Sequence, residues 1–155
     1  MKKGLKVLGF IFAVTMLAGC GNVEQKVTTC NLTQTDNATG YKLVSEYKVY
    51  STGDVVDKVE TVETVTSENE AILDYFEETV NKTYSTQSET YGGYTYKVTN
   101  ENGKVVSEAT IDYSKMDLNK YASDNTAVKN FLNEDNRITV EGVTSIYEAL
   151  GAVCE

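Results

Sequence analysis

Between Tyr41 and Tyr50 the chain alternates, with Tyr41, Leu43, Tyr47 and Val49 on one face and Lys42, Glu46 and Lys48 on the other. No other stretch limits the fold as much. A period of two describes a strand with one face dry and one face wet, so the rest of the chain must supply neighbouring strands and a layer to cover the apolar side.

The neighbours are legible on both sides. Val27 to Leu32 is rich in Val and Thr and reads as the first strand. Asp36-Asn37-Ala38-Thr39-Gly40 reads as a turn, since these residue types tolerate positive φ. Ser51-Thr52-Gly53-Asp54 turns the chain into Val55–Thr66, whose valines at 56, 59, 62 and 65 recur every third residue. That spacing matches neither period, and β-branched content decides for a strand. Later, Gly92-Gly93 marks a bulge or bend before Tyr94, Tyr96 and Val98, which share one face. Asn102-Gly103 is a strong hairpin signal, and Val105, Ala109, Ile111 and Tyr113 share a face of the strand beyond it.

Three segments read as helices and a fourth as a short helical turn. Ser67 with Glu70 forms a capping box, and the helix it opens is expected to end near Lys82, with Ile72, Leu73, Phe76 and Val80 as its apolar stripe. Residues 83–90, polar and rich in Ser and Thr, read as a loop. Ser114 to Asp117 caps a short helical turn, and Asp124 opens a helix that turns Val128, Phe131 and Leu132 inward. Thr139 caps the last helix, whose stripe is Val143, Ile146, Tyr147 and Leu150, with Gly151 at its C′ position and Ala152-Val153-Cys154 as an extended tail. The expected fold is α+β: a single domain with an antiparallel sheet of about five strands and helices packed on one face.

The N-terminus carries an address. Lys2, Lys3 and Lys6 precede an apolar run from Val7 to Ala18, too short to span a bilayer, and Leu17-Ala18-Gly19-Cys20 resembles a bacterial lipobox. The resemblance implies that residues 1–19 are a signal peptide and that Cys20 is diacylated at sulfur, palmitate-type chains holding an outward-facing protein to the cell membrane. Two acyl chains anchor firmly where one is marginal. Residues 20–26 then form a spacer, and residues 27–155 the domain.

Removing the signal leaves 136 residues, enough for one core, with 11 basic against 23 acidic side chains and a net charge of −12. Nucleic acid is a poor partner for such a surface. The charge is that of a solvated surface, or of a face for a cation or basic protein. The remaining cysteines, Cys30 and Cys154, sit near the two ends of the domain. In an oxidising compartment they point to a disulfide with Cα atoms about 4.4–6.8 Å apart; two free buried thiols are the alternative. Closing so long a loop contributes about 4–5 kcal/mol in the chain-entropy model.

Histidine is absent, which excludes Ser-His and Cys-His nucleophile pairs and histidine metal sites. Paired carboxylates (Glu77 with Glu78, Asp112 with Asp117) remain candidates for a glycosidase-type acid pair, which needs a cleft and a raised pKa to work, whereas the oxygen-rich runs Asp54 to Asp57 and Asn133 to Asn136 lack the EF-hand spacing with its glycine and twelfth-position glutamate. The sequons at Asn31, Asn37 and Asn81 are incidental beside a lipobox. Eleven tyrosines remain, of which Tyr84, Tyr91, Tyr94 and Tyr96 gather around the expected loop. No catalytic residue, metal or cofactor follows from these residues. The expectation is a non-enzymatic envelope module that meets another envelope protein or glycan, with a ligand-binding lipoprotein, its pocket between sheet and helices, as the alternative. A filled space beneath Ile72, Phe76 and Val80 supports the first, and a pocket with convergent polar groups the second.

The order of elements, with Asp112-Tyr113-Ser114-Lys115-Met116-Asp117 after the hairpin strand and a terminal helix followed by a cysteine, is similar to the YehR-like family of uncharacterised bacterial lipoproteins. The resemblance spans nearly all of the domain and implies a small α+β lipoprotein without assigned activity. The segment from Asp117 to Arg137 departs from it.

Overall fold

The computed structural model describes residues 24–155. The alternating segment is β2 (Tyr41–Thr52), and it lies inside the sheet between β1 (Gln25–Asp36) and β3 (Val55–Ser67), antiparallel to both. Beyond β3 come β5 (Lys104–Asp112) and then β4 (Tyr94–Glu101) at the edge. The two meet through Asn102 and Gly103, both at positive φ (55° and 74°), which is the geometry the Asn-Gly pair favours. The C-terminal tail is not a loose end. Val153–Cys154 forms β6 on the free side of β1, so the sheet has six strands in the order β4-β5-β3-β2-β1-β6.

The helices among the described residues all lie on one face, the one that Leu43, Tyr47 and Val49 present. α1 (Glu70–Tyr91) covers β3, β4 and β5. A short α2 (Leu118–Asp124), a 3₁₀ turn (Thr126–Phe131) and α3 (Val140–Ala149) cover the other half. Beneath them Val49, Val56, Val59, Val128, Ile138 and Val143 form one buried cluster, and Val65, Leu73 and Val105, with Phe76 against them, form another. The opposite face has no covering layer among the described residues. Val44 and Val62 on it are 42% and 41% exposed.

A β-bulge accounts for the every-third valines. Register shifts between Tyr50 and Ser51, which oppose Lys58 and Val56, leaving Asp57 as the extra residue. Val56 and Val59 therefore both face the helices at 0% exposure, Val65 follows at 5%, and Val62 points to the open face.

Several expectations are corrected. β1 begins at Gln25, taking in the last two residues read as spacer. The cap of α1 is Asn69, whose Oδ1 accepts from the Ala71 amide at 3.1 Å; Ser67 Oγ instead donates to the Gly40 carbonyl at 2.8 Å, tying the helix entrance to the β1–β2 turn. α1 does not stop near Lys82 but runs through the expected loop to Tyr91. Residues 83–90 lack large aliphatic side chains, yet they pack on an aromatic and hydroxyl-lined part of the sheet: Tyr84 lies 5.5 Å from Tyr96 between ring centroids, and Ser88 Oγ donates to the Tyr94 carbonyl at 3.3 Å. Gly92 and Gly93, at φ 71° and 74°, end the helix rather than bulge a strand. A Cβ at Gly93 would stand 2.6 Å from the Asp112 carbonyl. Asp124 ends α2 instead of opening a helix, because the cap is Asp117, whose Oδ1 accepts from the Lys120 amide at 3.0 Å. Thr139 does cap α3. In the α3 stripe, however, Ile146 and Leu150 are 40% and 53% exposed, and Val143 and Tyr147 carry the packing.

Candidate functional site

The most unusual position on the covered face is Glu63. It lies on β3 between Thr61 and Val65, both buried, and the pleat turns its carboxylate under the helices. Three hydroxyls reach it. Tyr47 Oη donates to Oε1 at 3.0 Å, Ser45 Oγ to Oε1 at 3.5 Å and Ser107 Oγ to Oε2 at 3.5 Å. Ser45 and Ser107 are 1% and 2% exposed, so the sheet itself carries this polar seam in its interior. Nearby, the hydroxyls of Thr61 and Tyr84 are 3.4 Å apart, and the Tyr147 ring stacks on Tyr47 with centroids 4.1 Å apart.

These phenols are held protonated. Burial, reinforced by the Glu63 carboxylate, pushes Tyr47 up to about 12, and burial also raises Tyr84 and Tyr147. Tyrosine hydroxyls in this layer are therefore donors at physiological pH and not bases.

A cavity of about 120 Å³ opens beside the carboxylate, lined by Leu43, Val65, Phe76, Val80 and Val105 together with Glu63 and Ser107. Its walls come from strands β2, β3 and β5 below and α1 above. Phe76 and Val80 are half-buried, so the helix stripe overhangs the space without sealing it. Other hollows, at the end of the sheet near Ser67 and Gly103 and on the open face around Val62, are open surface grooves.

The carboxylates and oxygen-rich runs singled out in the sequence are placed elsewhere and serve local structure. Glu77 accepts from Asn100 at 2.9 Å. Asp112 pairs with Lys115 and with the Ser114 amide, while Asp117 caps α2. Asp57 accepts from Thr52, and Asn133 Oδ1 accepts from the amides of Asp135 and Arg137. Among the described residues, no three Cys, Asp or Glu side chains gather as metal ligands. Of the tyrosine group, Tyr84, Tyr94 and Tyr96 do come together, but beneath a helix and not around a loop; Tyr91 turns away to Tyr121 and Asp124.

Cys30 and Cys154 are joined as a disulfide that spans 124 positions of sequence. Their Cα atoms are 3.9 Å apart, shorter than the expected window's lower bound of about 4.4 Å. The strand pairing brings them close. Thr29 and Glu155 exchange both backbone hydrogen bonds at 2.9 Å, which makes the adjacent Cys30 and Cys154 a non-hydrogen-bonded pair, where opposing Cα atoms approach most closely.

No protein-family model and no curated protein sequence matches the chain. Two solved structures do match its fold. The NMR structure of the Escherichia coli YehR protein is 18% identical, with a TM-score of 0.54 over 86% of this chain and 93% of that one. The fold is shared with YehR. An NMR structure of a protein from Streptococcus pneumoniae TIGR4 is 13% identical, with a TM-score of 0.50 over 100% of this chain and 98% of that one. The YehR-like architecture expected from the Asp112–Asp117 motif and the element order is thus the observed one. Cys20 and the signal peptide lie outside the described residues. Among those described, no helix is long and apolar enough to cross a membrane.

Sequence reasoning passed over Glu63 because the bulge at Asp57 broke the strand period. The available signal was parity: counted from Val59, residues 61, 63 and 65 share one face.

Proposed function

We propose that this protein is a bacterial lipoprotein, outward-facing and held to the cell membrane through acyl chains on Cys20, which works by binding and not by catalysis. The Lys-rich start, the short apolar run and Leu17 to Cys20 support the anchor. A first strand beginning at Gln25 leaves only four residues between the lipid and the domain, a reach of about 14 Å at full extension.

Of the two binding readings, the space beside Glu63 favours a ligand-binding lipoprotein. A docking module calls for a filled core beneath Phe76 and Val80, whereas here apolar walls enclose a hollow into which a carboxylate and a serine hydroxyl converge. The uncovered sheet face, with Val44 and Val62 exposed, supports the second reading, a docking surface for another envelope protein or glycan.

Expression of the Cys20→Ala chain tests the anchor: labelled palmitate should be incorporated into the wild type alone, and the variant should leave the membrane fraction. Equal labelling of both would overturn the assignment. For the pocket, methyl NMR of Leu43, Val80 and Val105 against a panel of small aliphatic molecules should show saturable shifts, and a panel that leaves all three unmoved returns the reading to docking.

A further inference from the structure

We propose that the cavity beside Glu63 is a site for a primary alkylammonium group, with the charged nitrogen at Glu63 and Ser107 and the alkyl stem against Phe76 and Val80. This rests on the ligand-binding reading above and names its chemistry.

The first support is the charge. An ionised carboxylate offers about four acceptor positions. Two hydroxyls aim at Oε1, but Oε2 has only Ser107, at the 3.5 Å outer limit of a hydrogen bond. An acceptor position on Oε2 is therefore open, and the carboxylate lines the cavity. No cation among the described residues answers it: the ion pairs there are Lys48 with Glu46, Lys58 with Glu60 and Lys115 with Asp112. The half-buried carboxylate has no counter-charge among the described residues, and an incoming ammonium supplies one.

The second support is shape and wall chemistry. An apolar cavity of about 150 Å³ admits benzene, so the volume of about 120 Å³ here suits about four to six heavy atoms. Five of its seven lining residues are apolar. A hydrated metal ion does not suit such walls, and hard divalent cations want six or more oxygen ligands with several carboxylates, where this site has one. Anions are repelled by Glu63. A short alkyl chain ending in an ammonium matches both the walls and the single charge. The same group occurs in free small amines and at the end of a lysine side chain.

The test uses the full-length protein in detergent micelles, with methyl-labelled Leu and Val. Propylammonium chloride should give saturable shifts at Leu43, Val65, Val80 and Val105, with a dissociation constant at least tenfold below that of n-propanol, its neutral isostere. Glu63→Gln should bring propylammonium to the level of propanol, whereas Glu46→Gln, on the open face, should change nothing. Val80→Phe, which fills the space from the helix without touching the carboxylate, should abolish both. Gly-Lys-Gly tripeptide shifting the same methyls would assign the site to lysine side chains of a partner, and shifts with propylammonium alone would assign it to free amines; either supports the proposal. Equal binding of propanol and propylammonium, or full retention in Glu63→Gln, would overturn the ammonium inference and leave the pocket standing. No saturable shift from any probe would overturn both.

Discussion

Tyr47 on β2 donates its hydroxyl to Glu63 on the adjacent β3 at 3.0 Å, beneath the helical layer and diagonally across the strand pair. This is the shortest of the three hydrogen bonds to the carboxylate, and Tyr47, held protonated chiefly by burial, is one of several buried tyrosines whose titration weakens the fold in alkali. Below pH 10, folded and unfolded states both keep the phenolic proton, so its contribution is complete. Above pH 10 the unfolded chain loses that proton first, while the folded chain holds it until about 12, so stability falls across that window. The loss from Tyr47 is on the order of 2–3 kcal/mol. Urea midpoints should be flat from pH 7 to 9 and decline beyond 10, more shallowly in Tyr47→Phe. Equal slopes for the two proteins would contradict this assignment. At neutral pH, Tyr47→Phe should itself cost about 1–3 kcal/mol, because Glu63 keeps only its two long hydrogen bonds.

The disulfide joins the two ends of the domain, and either cysteine closes the same loop. Reduction, Cys30→Ala and Cys154→Ala should each lower stability by about 2–5 kcal/mol. The double variant should be no worse than the Cys30→Ala single. Because Thr29 and Glu155 still pair without the covalent bond, amide exchange at Glu155 should accelerate more than exchange at Val49. Free-thiol labelling of both cysteines in native, oxidised protein would refute the cross-link.

Gly142 sits in the first turn of α3, where alanine ordinarily stabilises a helix by about 0.5–1 kcal/mol over glycine. Here the sign should reverse. A Cβ at that position falls 2.3 Å from the Cβ of Phe131 and 2.9 Å from its Cα, so the 3₁₀ turn must move away. Thermal unfolding of Gly142→Ala should shift downward, by about 2 kcal/mol or more. An unchanged or raised melting point would show that the α3 contact yields freely.

The second half of α1 distinguishes a helix from the loop its composition resembles. Thr86 is exposed on this stretch, so a loop would accept Thr86→Pro with little change. In a helix interior the ring removes a hydrogen bond and clashes with the preceding turn, costing about 3 kcal/mol. Denaturant titration reads the difference directly, and hydrogen exchange over residues 83–90 should show helical protection in the wild type.

Local chemistry was sufficient to read much of this molecule from its residues. Alternation placed β2 and its dry face; Asn102-Gly103 placed the edge hairpin; Thr139 and Gly151 bracketed α3; and the positions of Cys30 and Cys154 pointed to their bond. Each of these depends on interactions within a few residues, or on a single constraint such as an oxidising compartment. Tertiary structure decided the rest. Whether residues 83–90 are helix depended on Tyr94, Tyr96 and Thr61 being there to receive Tyr84 and Ser88. Which way Glu63 points depended on one bulged residue, Asp57, because every residue after a bulge changes face relative to the count before it. The cavity depended on three strands and α1 meeting without filling the space between them. Periodicity reports the face a side chain takes within its own element. It carries no information about what another element, brought alongside by long-range pairing, leaves empty next to it.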